Sequence, residues 1–557
     1  MVVQWIASSF SLSLTAPITS YINQDLGPKP YYFWMATIWP LTFSATVTIC
    51  GRFEDIFGRR YIMIFGNILG IVACIIGGTA TSIGVVILAI GLNGVASAIQ
   101  QTASACVSEL APRKYRPQVA SSVVGAAIVG GAFGNPIAIH LATHLTWRWG
   151  FWITLLVDGI SALALFFFYF PPTFQEIHRA DRRSKLEEFK KIDYVGVVLF
   201  AGGITILLVG ISWGGASYPW KSVGVILPIV LGGLTLIVFG FWEVYAPLAE
   251  PIVPYRLLKN VRGFTMVLVV EFVEGMLLYS LIALYPVQIE VIYAPTNSNK
   301  AGWESSTVLM GLYLGVLLLG FTISKIGHAR WIFVASVILS TIFIGCMAAM
   351  TLDSLGAVLA LTTLTGFAIG FIQITGTVMI LLNCPDRDLG AAFGLNGTFR
   401  TSGGSVATAI YSTILSNRVK DVLPGLVSKA TLPLGLPVTS LKPLLLALAA
   451  GGSASAAKIP GVTATVLAAA GQAYKEAYVK GFRLVYLVAI AFGVLVTICA
   501  LFTKNIDHLL TDHVAAKLHK GVLGQHDDGH NHNHDHDHDH DTGGVVDQEA
   551  GRKADLD

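Results

Sequence analysis

Charge is scarce in this chain of 557 residues. Lys, Arg, Asp and Glu make up 12% of it, while 54% is hydrophobic. A soluble domain carries about 25% charged residues. A water-soluble core cannot hide so much apolar surface, so lipid is the expected solvent for most of the chain. Cysteine is scarce too. Cys50, Cys74, Cys106, Cys346, Cys384 and Cys499 all fall in or at the end of apolar stretches, so no structural disulfide is expected. There is no nucleotide-binding loop and no credible nucleophile–base set, so neither an enzyme nor a cofactor is expected. The formal net charge of +3 is small, and no nucleic-acid partner is expected. No charged leader or small-residue cleavage site precedes the first apolar run, so no signal peptide is read. The chain begins inside that run without a polar tail, as a truncated N-terminus would.

What the chain has in abundance is long apolar runs. Taking roughly 20 residues per span, about fourteen spans are predicted, near 2–22, 33–51, 60–80, 83–106, 118–143, 149–171, 194–213, 222–246, 263–288, 305–324, 330–350, 355–382, 388–415 and 480–503. An even number puts both termini on one side. One set of short loops holds Arg52, Arg59 and Arg60; Arg113, Lys114 and Arg116; Arg179, Arg182, Arg183, Lys185, Lys190 and Lys191; and Arg256, Lys259 and Arg262. The alternate loops hold little beyond Lys29, Arg148, Lys221 and Lys300. Basic loops stay in the cytosol, so both termini are expected there, with the plasma membrane as the host. Segment 416–479, rich in Ala, Leu, Gly and Pro, is expected as a long outer loop with amphipathic helices.

The chain also repeats itself. Gly51-x6-Gly58 recurs as Gly320-x6-Gly327 followed by Arg330, Gly94-x6-Gln101 as Gly366-x6-Gln373, and Pro112-Arg113 as Pro385 with nearby Arg387. Two related six-span halves follow, and a site at the interface of such halves is a common transporter plan. The densest of these segments, Gly51 to Arg60, is a knot of glycine and charge between two uncharged stretches, which reads as a short turn between antiparallel spans. Its pattern Gly-x3-Asp-x2-Gly-Arg-Arg resembles the loop between the second and third spans of major facilitator superfamily transporters. The resemblance implies an all-α integral membrane protein: a six-helix half at 1–171, a cytosolic linker with two inserted spans at 172–262, a second six-helix half at 263–503, and a tail at 504–557.

It also implies a gate made of Gly51, Asp55, Gly58, Arg59, Arg60 and Glu109. Asp55 can cap the N-terminus of span thirteen near Asp388, where the helix dipole favours negative charge. Arg59 or Arg60 can pair with Glu109. Arginines alone would also suit plain membrane anchoring. The pattern departs from the family at Ile56, where a basic residue is usual. In span five, Gly130-x3-Gly134 puts two glycines on one helix face, and Pro136 removes a backbone donor and is expected to kink the helix. This run resembles the antiporter motif of proton-coupled efflux carriers, with Asn135 interrupting it. The buried arginine usual in span four is missing.

Four charges lie near mid-span: Asp158, Glu271, Glu274 and Arg400. Charges buried in a membrane are functional suspects by default. Glu271 and Glu274 are one turn apart and share a face. An ion pair of one of them with Arg400, around a carboxylate that takes up and releases a proton, is expected; a static pair that fixes helix register is the plainer alternative. Depth alone suggests a cavity lined by Trp39, Gln100, Gln101, Asn135, Gln373, Asn396 and Arg400, with apolar walls suited to an amphipathic organic molecule. In the tail, His530, His532, His534, His536, His538 and His540 alternate mainly with Asp. They can chelate zinc, nickel or copper, but without a scaffold the expected state is a solvated tail.

The turn 212–220, the Trp147-Arg148-Trp149 segment and the stretch from Trp242 to Leu257 look like outer turns and connections of fourteen-span fungal carriers. The branch they resemble is that of trichothecene efflux pumps, beside the siderophore-iron transporters. That resemblance implies a monomeric alternating-access carrier in the lipid bilayer, driven by protons and exporting a small organic molecule. The alternatives are a siderophore importer working by proton symport and a non-transporting sensor with the His tail as output.

Overall fold

A computed structural model describes residues 1–511 except Pro28, Pro30, Phe33, 172–188, Ala216, Ala249, 294–297 and 450–458. The His/Asp tail, with His530 to His540, and Arg179, Arg182, Arg183 and Lys185 of the linker lie outside the described residues. Among those described, the named elements are all helical: α1 (Val2–Ser13), α2 (Thr19–Asp25), α3 (Trp34–Phe57), α4 (Arg59–Gly78), α5 (Ile83–Gln101), α6 (Ala103–Leu110), α7 (Arg116–Ala126), α8 (Ile128–His144), α9 (Trp149–Phe168), α10 (Tyr194–Trp213), α11 (Val223–Tyr245), α12 (Tyr255–Lys259), α13 (Met266–Gln288), α14 (Ser298–Ser305), α15 (Thr307–Ile326), α16 (Ala329–Met347), α17 (Leu355–Leu382), α18 (Leu389–Thr431), α19 (Val438–Ala449) and α20 (Ala464–Leu501), with short 3-10 and π turns between some of them.

Eleven helical segments among the described residues are long and apolar enough to cross a membrane. The other three expected spans are also helical. Segment 2–22 is divided into α1, a 3-10 turn and α2, and Pro17, which lacks an N–H, sits in that turn. Helices α3 and α18 are diluted by Thr, Ser and Gly. The count of fourteen therefore does not follow from length and composition.

Three expectations change. The knot at Gly51 is not a turn: α3 runs through it to Phe57, and the chain reverses at Gly58, whose φ of +89° glycine adopts without strain. Helix α8 continues across Pro136, and span five is divided at Ala127, a break the sequence did not suggest. Segment 416–479, expected as an outer loop with amphipathic helices, is in its first and last quarters a prolongation of the helices on either side, with α19 between them. Helix α18 reaches Thr431 and α20 starts at Ala464. Leu415, Val419, Leu423, Val427 and Thr431 are buried at every fourth position, a helical stripe that packs α18 on α20.

The inserted helices α10 and α11 pack on each other, and α10 also touches α3 and α18. The far face of α11, with Leu227, Leu234 and Phe241, is exposed. An apolar stripe of that length facing outward suits lipid.

Candidate functional site

Two sets of contacts join the halves. The first lies at the end that carries Gly58. Helix α18 begins there, and its first N–H groups have no partner inside the helix. Its own N-cap residue, Asp388, makes no capping bond. Asp388 instead accepts from Arg52 at 3.1 Å and Arg256 at 2.6 Å. The cap comes from the other half: the Asp55 carboxylate accepts from the Gly390 and Ala391 N–H groups at 3.0 and 2.9 Å. This approach needs Gly51, because a Cβ there would fall on the Gly390 carbonyl.

Arg59 holds Asp55 from behind at 3.2 Å and also pairs with Glu109. Arg60 does not join them. One residue further round α4, it donates to the Phe166 carbonyl at 2.8 Å and lies 4.2 Å over the Phe170 ring. Arg52 and Arg256 were read only as loop charges and Asp388 only as the start of a span, and Glu250 and Asp386 went unread; their part in this contact was not foreseen. Arg52 also pairs with Glu250, and Arg113 and Arg116 reach across to Asp386 at 3.3 and 3.2 Å. Arg52, a charge directly after Gly51 at the end of an uncharged run, was the available signal.

The second set surrounds a cavity between the halves. Its walls include Trp5, Phe43, Gln101, Ser104 and Val124 from one half and Val316, Gln373, Thr377, Phe393, Asn396, Arg400 and Thr401 from the other. Four of the residues chosen by depth are therefore brought together: Gln101, Gln373, Asn396 and Arg400. Gln101 and Gln373 are counterparts in the internal repeat and meet the same space from opposite halves. Ser104 and Thr377 were missed, although Thr377 lies one turn beyond Gln373 on the same helical face and Ser104 follows Gln101 across the break between α5 and α6.

The remaining three stand behind the wall. Trp39 stacks on Phe43 at 5.1 Å and donates to Ser11 at 3.1 Å. Gln100 donates to Asp158 at 2.7 Å. Asn135 is buried on α8. The cavity is narrow in this state, with room for about one water molecule.

Arg400 lies between this cavity and two carboxylates. The Gln373 amide, with its oxygen toward the guanidinium, accepts from both Nη atoms at 2.7 and 3.2 Å. On the other side, Glu274 Oε2 is 3.8 Å from Arg400 Nε. Glu271 and Glu274 are both buried, and none of their carboxylate oxygens has a hydrogen-bond partner among the described residues. Gly376 makes room for Glu271, since a Cβ there would strike its carboxylate. Asp158 is not part of this group. It is buried in the first half, bonded to Gln100 and packed against Gly70.

Gly130 and Gly134 pack against α1, where added Cβ atoms would meet Ser9 and Ser13. Ser13 also donates to the Gly130 carbonyl at 2.7 Å. Their shared face thus joins two helices of one half. Pro136 faces the other half, where a Cβ at Gly302 would come 2.9 Å from its Cα.

A model of the fungal trichothecene efflux pump (TRI12) family matches residues 1–548. The trichothecene efflux pump of Fusarium sporotrichioides is 31% identical over 93% of this chain and 88% of its own length. An MFS-type transporter of Penicillium rubens is 28% identical over 91% of this chain and 90% of its own. In fold, the chain is similar to the human organic anion transporter MFSD10 (TETRAN), with a TM-score of 0.53 and 10% identity over 88% of this chain and 97% of that one. The chain belongs to the fungal trichothecene efflux pump family, multi-pass membrane efflux transporters of the major facilitator superfamily.

Proposed function

We propose that this chain exports a trichothecene-like secondary metabolite by alternating access, driven by protons that enter as the metabolite leaves. The observation that carries this reading is the arrangement around Arg400: a cation on the wall of the inter-half cavity, with two buried carboxylates behind it. A carboxylate buried in a membrane is costly while charged and becomes tolerable once protonated. Glu271 and Glu274 can thus take and give up the coupling proton, with Asp158 as a further buried carboxylate in the other half. The apolar walls with a few amides and hydroxyls suit a compact organic molecule better than a sugar.

In this reading the halves 1–171 and 263–503 rock against each other, and 172–262 supplies the inserted pair. The Gly58 end faces the cytosol of a monomer in the plasma membrane, because its loops carry the basic residues. Asp55, Arg59 and Glu109 hold that end shut, and their contacts break when the carrier opens inward. The efflux relatives favour export over siderophore import.

The test is flux in a pump-deficient yeast. Cells expressing the chain should accumulate less labelled trichothecene, and a protonophore should abolish the difference. Glu271→Gln and Glu274→Gln, made singly, should each weaken proton-dependent export. Unchanged export in both would sink the coupling role.

A further inference from the structure

We propose that Gln373 is the positioning residue through which proton and substrate exclude one another, and that the substrate offers it a hydroxyl. The inference rests on the coupling reading above. In this structure one placement of the Arg400 guanidinium faces Gln373 and Glu274 at once, and in the proposed cycle it shifts between these two partners. Toward the cavity, the Gln373 oxygen accepts from both Nη atoms at 2.7 and 3.2 Å. Away from it, Glu274 stands 3.8 Å from Nε, beyond hydrogen-bond distance. The titratable groups that bear on Arg400 are Glu274, Glu271, Tyr279 and Tyr313. Tyrosine is neutral at ordinary pH, so within this group only the two glutamates can offer a full negative charge. Gln373 and the Tyr279 hydroxyl are the neutral partners, and of the two Gln373 lines the cavity.

The two partners, Gln373 and Glu274, correspond to two ligand states. With a proton on Glu274, its pull on Arg400 vanishes and the guanidinium stays on Gln373, which uses up the amide oxygen and projects charge into the cavity. When the carboxyl O–H bond breaks and the proton leaves, the ionised Glu274 draws the guanidinium back. The Gln373 oxygen is then a buried acceptor without a donor, which is unfavourable until one arrives. A hydroxyl on an otherwise apolar molecule supplies it. Proton and substrate thus bind alternative arrangements of one side chain, and such negative coupling is reciprocal. Across the cavity Gln101 is bonded to Ser8 at 3.0 Å, so the two repeat-related walls differ.

The experiment is equilibrium binding to the purified full chain in detergent from acid to neutral pH. The probes are a labelled trichothecene with a free hydroxyl and its O-acetyl ester. Wild-type affinity for the free hydroxyl should fall as pH falls. Gln373→Leu should weaken binding at neutral pH by roughly two- to tenfold, the worth of one neutral hydrogen bond, and flatten the pH dependence. The ester should bind wild type more weakly, and this comparison does not depend on any variant folding. Binding by wild type that ignores pH would overturn the coupling reading itself. A pH slope in Gln373→Leu equal to that of wild type would overturn the role of Gln373 alone. Equal binding of alcohol and ester would overturn the hydroxyl assignment.

Discussion

Gly51–Arg60 and Gly320–Arg330 are counterparts in the internal repeat, and both lie where one half meets the other. Each has a helix ending at a glycine of positive φ, +89° at Gly58 and +66° at Gly327. Each leans on the start of a helix in the opposite half. The chemistry at the contact is nevertheless reversed. Asp55 accepts from two N–H groups at the start of α18. Its counterpart Ser324 donates one hydroxyl bond, at 2.9 Å, to the Lys114 carbonyl just before α7.

An anion at a helix N-terminus gains from both the bare donors and the dipole. A hydroxyl on a carbonyl gains one ordinary bond. In the first loop Arg59 follows the glycine and braces Asp55; in the second, His328 takes that position and donates its N–H to Asp507 at 2.7 Å. Two seams of similar shape thus differ in chemistry: one is a charged latch, the other a single neutral hydrogen bond.

The largest expected effect is at the latch. Asp55→Asn keeps an acceptor oxygen but loses the charge, a loss of about 1.5–3 kcal/mol from the closed arrangement. That corresponds to roughly ten- to a hundredfold in its population. Export by pump-deficient yeast should fall by at least about tenfold, and wild-type export by this variant would undo the comparison.

Next in size is the glycine pair. Gly51→Ala drives a methyl into the Gly390 backbone carbonyl, which cannot turn away. Gly320→Ala meets first the Ser121 side chain, with the nearest backbone atom, the Pro117 carbonyl, at 3.2 Å. Export should suffer more from the first than the second; equal losses would mean that the seams are equally tight, and the opposite order would reverse the comparison.

A smaller effect is expected at the weaker seam. Ser324→Ala removes one neutral hydrogen bond, about 1 kcal/mol, so export should change no more than several-fold. A loss as deep as that of Asp55→Asn would erase the distinction.

The smallest concerns the start of α16. Asp507 accepts from the His328 and Ala329 N–H groups at 2.7 and 3.1 Å. Burial by itself would raise its pKa, but the bonds from Ala329, Asn505 and His328 together hold it below the usual aspartate value. A depressed folded-state value means that the cap is present above the unfolded value and is lost as pH falls through the folded one. Asp507→Ala should lower the thermal midpoint slightly at neutral pH, by the worth of an N-cap, about 1 kcal/mol. The difference from wild type should shrink in strong acid; a difference that grows there would contradict the sign.

Much of this protein is fixed by local composition. Long uncharged runs can only be membrane helices, so most helix positions were legible, and α10 matches its expected limits of 194–213. Spacing also placed Glu271 and Glu274 on one face, because helix periodicity is a property of sequence, while the position of Asp55 near the start of α18 was implied by the family resemblance. What lies around those residues was decided by tertiary packing. Nothing near Arg52 in the chain names Asp388 or Glu250, which are 336 and 198 residues away. Trp39 and Gln100 sit at the right depth, but helix rotation turns them behind the cavity wall. Segment 416–479 looked like a loop because its stripe of buried residues has meaning only against α20. Depth and period are read along one helix; partners and facing depend on how helices pack.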